Sequence, residues 1–187
     1  MLSPAKKSAT PLSIREKIKL AQNLYVNWGE ALLEDFHIHR LLARLKKNIE
    51  DTNKAVLALG IYEVCKHCEE EEGSCCGAGI ENKYDVVILL INIAMGIHLP
   101  TQRYQSNSCY FLNKNGCILK ARHVLCVNYL CSKIKQTFTL DELIRIQYLA
   151  GNELDTLFIL HEAIKKFINN DGQRLPKRNY FADYQLL

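Results

Sequence analysis

A mainly α-helical fold, with a helical hairpin and a C-terminal helix packed around a loop-rich cysteine core, is what this sequence predicts. Three observations carry that expectation. Apolar residues recur at helical spacing over residues 13–60 and again over 140–168. Capping sequences open those stretches at Ser13 and Thr139. Between them, all eight cysteines fall from Cys65 to Cys131, and the stretch from Cys109 to Cys131 has no clear period.

The elements follow in order. Residues 1–12 read as a flexible leader, because Pro4 and Pro11 block regular structure. From Ser13, residues Ile14, Ile18, Ala21, Tyr25, Trp28 and Leu32 share one helix face, which makes Trp28 a packing residue. Ile38, Leu41, Leu42, Leu45, Ile49 and Val56 line a second helix, and Gly60 can end it. These two helices form the expected hairpin over 13–60. The core is expected over 61–135, opening with Cys65-Lys-His-Cys68. There the acidic run Glu69 to Glu72 and the glycines around Cys75-Cys76 read as a loop. Asp85 can cap a short apolar helix from Val86 to Met95, closed by Gly96; the β-branched start of that run makes a strand the alternative. Asn113-Lys-Asn-Gly116 reads as a tight turn. Thr139-Leu-Asp-Glu142 is a capping box for the C-terminal helix, which Gly151 can split or bend. Residues 136–187 hold that helix and a tail with Pro176, Tyr180, Phe181 and Tyr184, suited to docking on the surface or on a protein partner. The whole reads as one compact domain.

Composition narrows the function. At 187 residues and 48% hydrophobic, the chain can bury a core without covalent staples. Its N-terminus lacks a signal-type apolar stretch, and its longest apolar run, Val86 to Met95, is short for a bilayer and interrupted by Asn92. No membrane association is expected, and a cytoplasmic location is. Cysteine groups in that compartment more often mean metal or redox chemistry than structural disulfides. The formal charge of +4 suggests nucleic acid until metal-bound thiolates are considered: one Zn(Cys)4 centre, or one four-iron cluster in its 2+ state, contributes −2. Two such centres bring the charge to zero, so no nucleic-acid partner is expected.

The cysteines run Cys65-x2-Cys68-x6-Cys75-Cys76, then Cys109-x7-Cys117-x8-Cys126-x4-Cys131. A two-residue gap lets two sulfurs in a tight turn converge on one metal. All eight cysteines are therefore candidate ligands to an iron–sulfur cluster or to Zn2+. A zinc ribbon needs a second C-x2-C, which is missing, and so is the closing Cys-Pro of a bacterial ferredoxin. Adjacent Cys75 and Cys76 point apart and suit a multi-iron cluster or neighbouring sites, which favours iron–sulfur over zinc. His67 and His123 lie inside the window and are secondary candidates. Arg122 can hydrogen-bond cluster sulfurs or face solvent. His161-Glu162 fails the H-E-x-x-H pattern because Lys165 stands where the second histidine belongs. His37 and His39, two apart, cannot chelate together on a helix. Gly77-Ala-Gly79 lacks the rest of a dinucleotide fingerprint and reads as a turn near the metal.

At these residues the chain resembles the family of zinc- or iron-chelating cysteine-cluster proteins named for its CxxC…CC signature. The resemblance rests on Cys65-Lys-His-Cys68, Cys75-Cys76, Asp85, Cys109-Tyr-Phe111-Leu112, Gly116-Cys117-Ile-Leu119, Arg122, Cys126 and Cys131, about a third of the chain. His123 departs from the proline usual after the arginine, and the gap from Cys68 to Cys75 is generous. The resemblance implies metal chelation. Some relatives resemble flagellin lysine methylases, so an iron–sulfur-dependent transferase is one alternative, and a thiol–disulfide exchanger is another.

Overall fold

The computed structural model of the protein describes residues 11–72 and 75–171, with the backbone alone at 68–72 and 171. The leader up to Thr10 and the aromatic tail lie outside the described residues. The chain is mainly helical: α1 (Ile14–Glu34), α2 (Phe36–Ala58), α3 (Ile61–Glu72), α4 (Val86–Ala94), α5 (Val124–Val127), α6 (Ser132–Thr137) and α7 (Leu140–Asp171). A two-residue hairpin pairs β1 (Leu112–Asn113) with β2 (Gly116–Cys117), and a 3-10 turn spans Ile80–Lys83.

Local chemistry sets the helix starts. Ser13 Oγ accepts from the Glu16 N–H, and the Glu16 carboxylate accepts from the Ser13 N–H at 2.7 Å, the reciprocal capping expected there. Asp35 alone separates α1 from α2; its Oδ1 accepts from the Ile38 N–H at 2.8 Å while its own N–H closes α1 on the Ala31 carbonyl. Asp85 caps α4 through the Ile88 N–H at 2.9 Å, and Gly96, at φ 84°, turns the chain away. The helical reading of this apolar run is the one that holds. Thr139 and Glu142 reproduce the capping box ahead of α7, which runs through Gly151 unbroken.

Two expectations change. The C-x2-C segment and the acidic run are helical, not a loop: α3 begins directly after Gly60, at φ 74°, and carries residues 61–72. Glutamate is a good helix former, and like charges on a helix surface cost only about 0.2–0.5 kcal/mol per pair, too little to break it. The expected hairpin of α1 and α2 exists, but it is not the main packing unit. α2 lies chiefly along α7, and α1 chiefly against α4. The reason is that α4 is apolar all round, buried from Val86 to Asn92, and needs cover on every side. Trp28 packs edge-on against Phe167 of α7 with ring centroids 6.3 Å apart.

The main core joins α1, α2, α4 and α7 to the turn-rich segment around Tyr84, Cys109, Phe111 and Leu119. A second, smaller core of Ile61, Ile134, Leu143 and Ile146 ties α3 and α6 to the start of α7. Among the described residues, no helix is long and apolar enough to cross a membrane.

His161, on α7, fastens that helix to the start of α4: its Nε2 meets Asp85 Oδ2 at 2.8 Å and its Nδ1 meets Glu162 Oε1 at 3.0 Å. Burial disfavours the imidazolium, but the hydrogen bonds and charges of Asp85 and then Glu162 outweigh it, so the histidine's pKa lies above its ordinary value. Burial likewise raises Asp85, yet His161 and the N–H groups of Ile88 and Val87 bring it below the usual carboxylate range. The histidine's contribution is complete below about pH 6.5 and is lost as pH rises through the raised native value; the aspartate's holds above about pH 3.9 and is lost as pH falls through the depressed one. Because the Asp85 side chain is 39% exposed, solvent screening limits the pair to about 1 kcal/mol. We expect His161→Ala to lower stability by about 1 kcal/mol at pH 5.5, and the deficit to shrink by pH 9, measured by urea unfolding at both values. An unchanged deficit at pH 9 counts against a charged clamp.

Candidate metal centre

Four of the eight cysteines arrive in one neighbourhood, each brought by a separate local device. Cys76 lies in the bend after α3 and is aligned by an isolated antiparallel bridge between Gly77 and Ser108. Its carbonyl accepts from the Cys109 N–H at 2.6 Å, and the Asn107 carbonyl accepts from the Ala78 N–H at 3.0 Å. Glu81 strengthens this junction. It is only 3% exposed, pairs with Arg103, and accepts from the Gly79 N–H at 2.9 Å, while Arg103 also donates to the Ser108 carbonyl. Burial raises the Glu81 carboxyl, but Arg103 and these N–H groups outweigh it and keep the pKa low. Gly79 sits at φ 103°, in the left-handed region that favours glycine, so Gly77-Ala-Gly79 is a turn at this junction.

The hairpin then delivers Cys117. Leu112 pairs with Cys117 across β1 and β2, the Phe111 carbonyl accepts from the Ile118 N–H at 2.9 Å, and Gly116 takes φ 100° to close the turn. Cys126 comes from α5, whose N-terminus is capped by His123 Nδ1 accepting from the Leu125 N–H at 3.2 Å. His123 therefore has a local structural task, and its ring lies tilted 6.1 Å from that of Tyr84.

Tyr84 is the hub. It is 1% exposed, its ring meets Phe111 edge-on at 5.2 Å, and its hydroxyl donates to Cys126 Sγ at 3.5 Å. Burial, then the bond to Cys126, then the charges of Cys126 and Cys117 push the phenol's pKa upward, so it stays a donor. Burial raises Cys109 to about 11, helped by the charges of Glu81, Cys117 and Cys76 and opposed by the Phe111 N–H. Cys117 presents surface to solvent, yet protein atoms crowd its sulfur; this desolvation raises it, Cys76 and Cys126 add to the effect, and Arg122 opposes it. The charges of Cys76 and Cys117 thus disfavour the thiolate of Cys109, and those of Cys76 and Cys126 the thiolate of Cys117, an effect that a bound cation would reverse.

Arg122 donates weakly to Asn53 Oδ1 of α2 at 3.5 Å, and its charge acts on Cys117 and on Glu153, a wholly buried carboxyl of α7 whose pKa burial raises. Asn92 is the positioning residue that the sequence reading passed over as an interruption. It is fully buried: its Nδ2 donates to the Ile88 and Ala121 carbonyls at 2.9 and 2.8 Å, and its Oδ1 accepts from the Lys120 and Ala121 N–H groups at 2.8 and 3.1 Å. That staple holds the 117–126 segment to α4. A lone polar residue inside an apolar helix was the available signal.

Cys65 stands on an exposed face of α3, with exposed His67 two residues on. The Cys68 side chain lies outside the described residues. Cys75 is exposed at the bend, and Cys131, half-buried, begins α6 against the second core. His37 and His39 are exposed on α2. Among the described residues, no group of three or more histidine, cysteine, aspartate or glutamate side chains is placed to hold a metal ion as the chain stands. No family model, no curated protein and no solved structure matches this chain.

Proposed function

We propose that Cys76, Cys109, Cys117 and Cys126 are the thiolate ligands of one metal centre, an iron–sulfur cluster or Zn2+. The observation that carries this reading is that Cys76, Cys109 and Cys126 share one core cluster with Tyr84, whose hydroxyl bonds Cys126, while the charge of Cys76 reaches Cys109 and Cys117 and that of Cys126 reaches Cys117. The donor chemistry fits: four thiols suit a tetrahedral zinc or a cubane cluster. Binding requires the sulfurs to draw closer, and the elements that carry them are bends, a two-residue hairpin and one turn of helix, which can adjust while α4 holds still. The order of these cysteines also underlies the resemblance to the CxxC…CC family.

The chain's own residues have definable parts. Tyr84 donates a hydrogen bond to Cys126 and so disperses sulfur charge. Arg122 favours the thiolate of Cys117. Burial of Cys109 within the main core limits water around its sulfur. A bound zinc would supply folding free energy, and a bound cluster a one-electron redox couple. This reading assigns no ligand role to Cys65 or Cys131.

Anaerobic purification without an affinity metal, followed by metal and sulfide analysis and an absorption spectrum, tests the proposal. Iron with acid-labile sulfide and a broad band near ~400 nm identifies a cluster; a colourless protein with one zinc per chain identifies a zinc site. Protein that is metal-free in repeated preparations, and that reconstitution fails to load, overturns it. A thiol count that then changes reversibly with redox poise assigns the cysteines to disulfide exchange.

A further inference from the structure

A cleft of about 290 Å3 opens beside the cysteine segments, between residues 100–104 and the hairpin, just below the usual range for small-molecule sites. We propose that it binds a small, planar, uncharged molecule bearing a carbonyl or amide oxygen. This goes beyond the metal reading and does not depend on it.

Three features define the ligand class. The walls set the aromatic and aliphatic side chains of Tyr104, Tyr110, Phe111 and Ile118 beside the uncharged amides of Gln102 and Asn113, which suits a flat apolar body with a neutral polar group. Tyr110 is 4% exposed, and its buried hydroxyl has no hydrogen-bond partner. A buried polar group left unmade is costly, and this one can donate to a carbonyl oxygen. The third feature is charge. Arg103 lies over the Tyr110 ring, 5.7 Å from its centroid, but its guanidinium is occupied by Glu81 and the Ser108 carbonyl. Its charge is thereby compensated, so the cleft has no excess cation with which to select an anion. A neutral acceptor is favoured over a carboxylate. The hydroxyl is itself buried, so the ligand gains its hydrogen bond only by a local rearrangement, and binding is weak.

Benzamide is a suitable probe, with toluene as the same ring lacking an acceptor and benzoate as the charged analogue. In a 1H–15N NMR titration of the full-length chain, benzamide should shift amides of residues 100–104 and 110–118 with a Kd on the order of millimolar. Toluene and benzoate should bind at least about fivefold more weakly, and Tyr110→Phe should weaken benzamide binding about five- to tenfold while leaving toluene unchanged. The three-ligand comparison on the wild-type chain remains decisive if the variant is destabilised. No shifts at the cleft with any probe, equal affinity for benzamide and toluene, tighter binding of benzoate, or a Tyr110→Phe chain that binds benzamide as well as the wild type would each overturn the assignment.

Discussion

Asn92→Ala should destabilise the protein by about 3–5 kcal/mol, more than an ordinary surface or helix-propensity change. The side chain makes four hydrogen bonds inside the core, and truncation strands the N–H and carbonyl of Ala121, which is itself fully buried. Each buried group left unsatisfied costs about 1–3 kcal/mol, and the vacated volume adds a cavity term. Asn92→Leu separates the two causes: it refills the space but leaves the same backbone groups orphaned, so it should remain nearly as destabilised. Urea unfolding measures the loss, and hydrogen exchange should show the Lys120 and Ala121 amides losing protection first. A cost under about 1 kcal/mol for both variants would mean that water replaces the staple freely.

In the protein carrying the proposed centre, Cys126→Ser should weaken metal binding by more than about 100-fold. Loss of a residue that merely supports a ligand already costs about 10–100-fold, and here a ligand itself is removed. The Tyr84 hydroxyl loses its sulfur acceptor as well. Cys65→Ser is the internal comparison, because Cys65 lies on the exposed face of α3 outside the gathered set. It should leave metal content and melting temperature unchanged. Metal content measured on both variants, with competition against a chelator of known affinity, discriminates: equal retention removes Cys126 from the ligand set, and loss with Cys65→Ser would mean that α3 contributes to the centre.

The helical class, the Ser13, Asp85 and Thr139 caps and the stops at Gly60 and Gly96 were legible because each depends on a few neighbouring residues and on the 3.6-residue period. The turn at Asn113–Gly116 was legible for the same reason. The C-x2-C segment was misread because two local signals conflicted: the glycines and the like-charged run suggested a loop, whereas glutamate's helix propensity and the fresh start at Gly60 carried the helix through. Which cysteines meet was beyond any local rule. Spacing made all eight equal candidates, but the bridge from Gly77 to Ser108, the Glu81–Arg103 pair and the Asn92 staple join the segments that carry Cys76, Cys109 and Cys117, and the Tyr84 hydroxyl reaches Cys126. Those contacts join residues 22 to 42 positions apart, and His161 reaches Asp85 across 76. The sequence by itself determined the four long or strongly apolar helices, α1, α2, α4 and α7, and the presence of a cysteine-rich segment, because both are written in short-range pattern. The tertiary structure alone decided the partners of each helix and which cysteine-bearing segments are joined, because burial of an all-apolar α4 and the satisfaction of buried polar groups are properties of the packed chain.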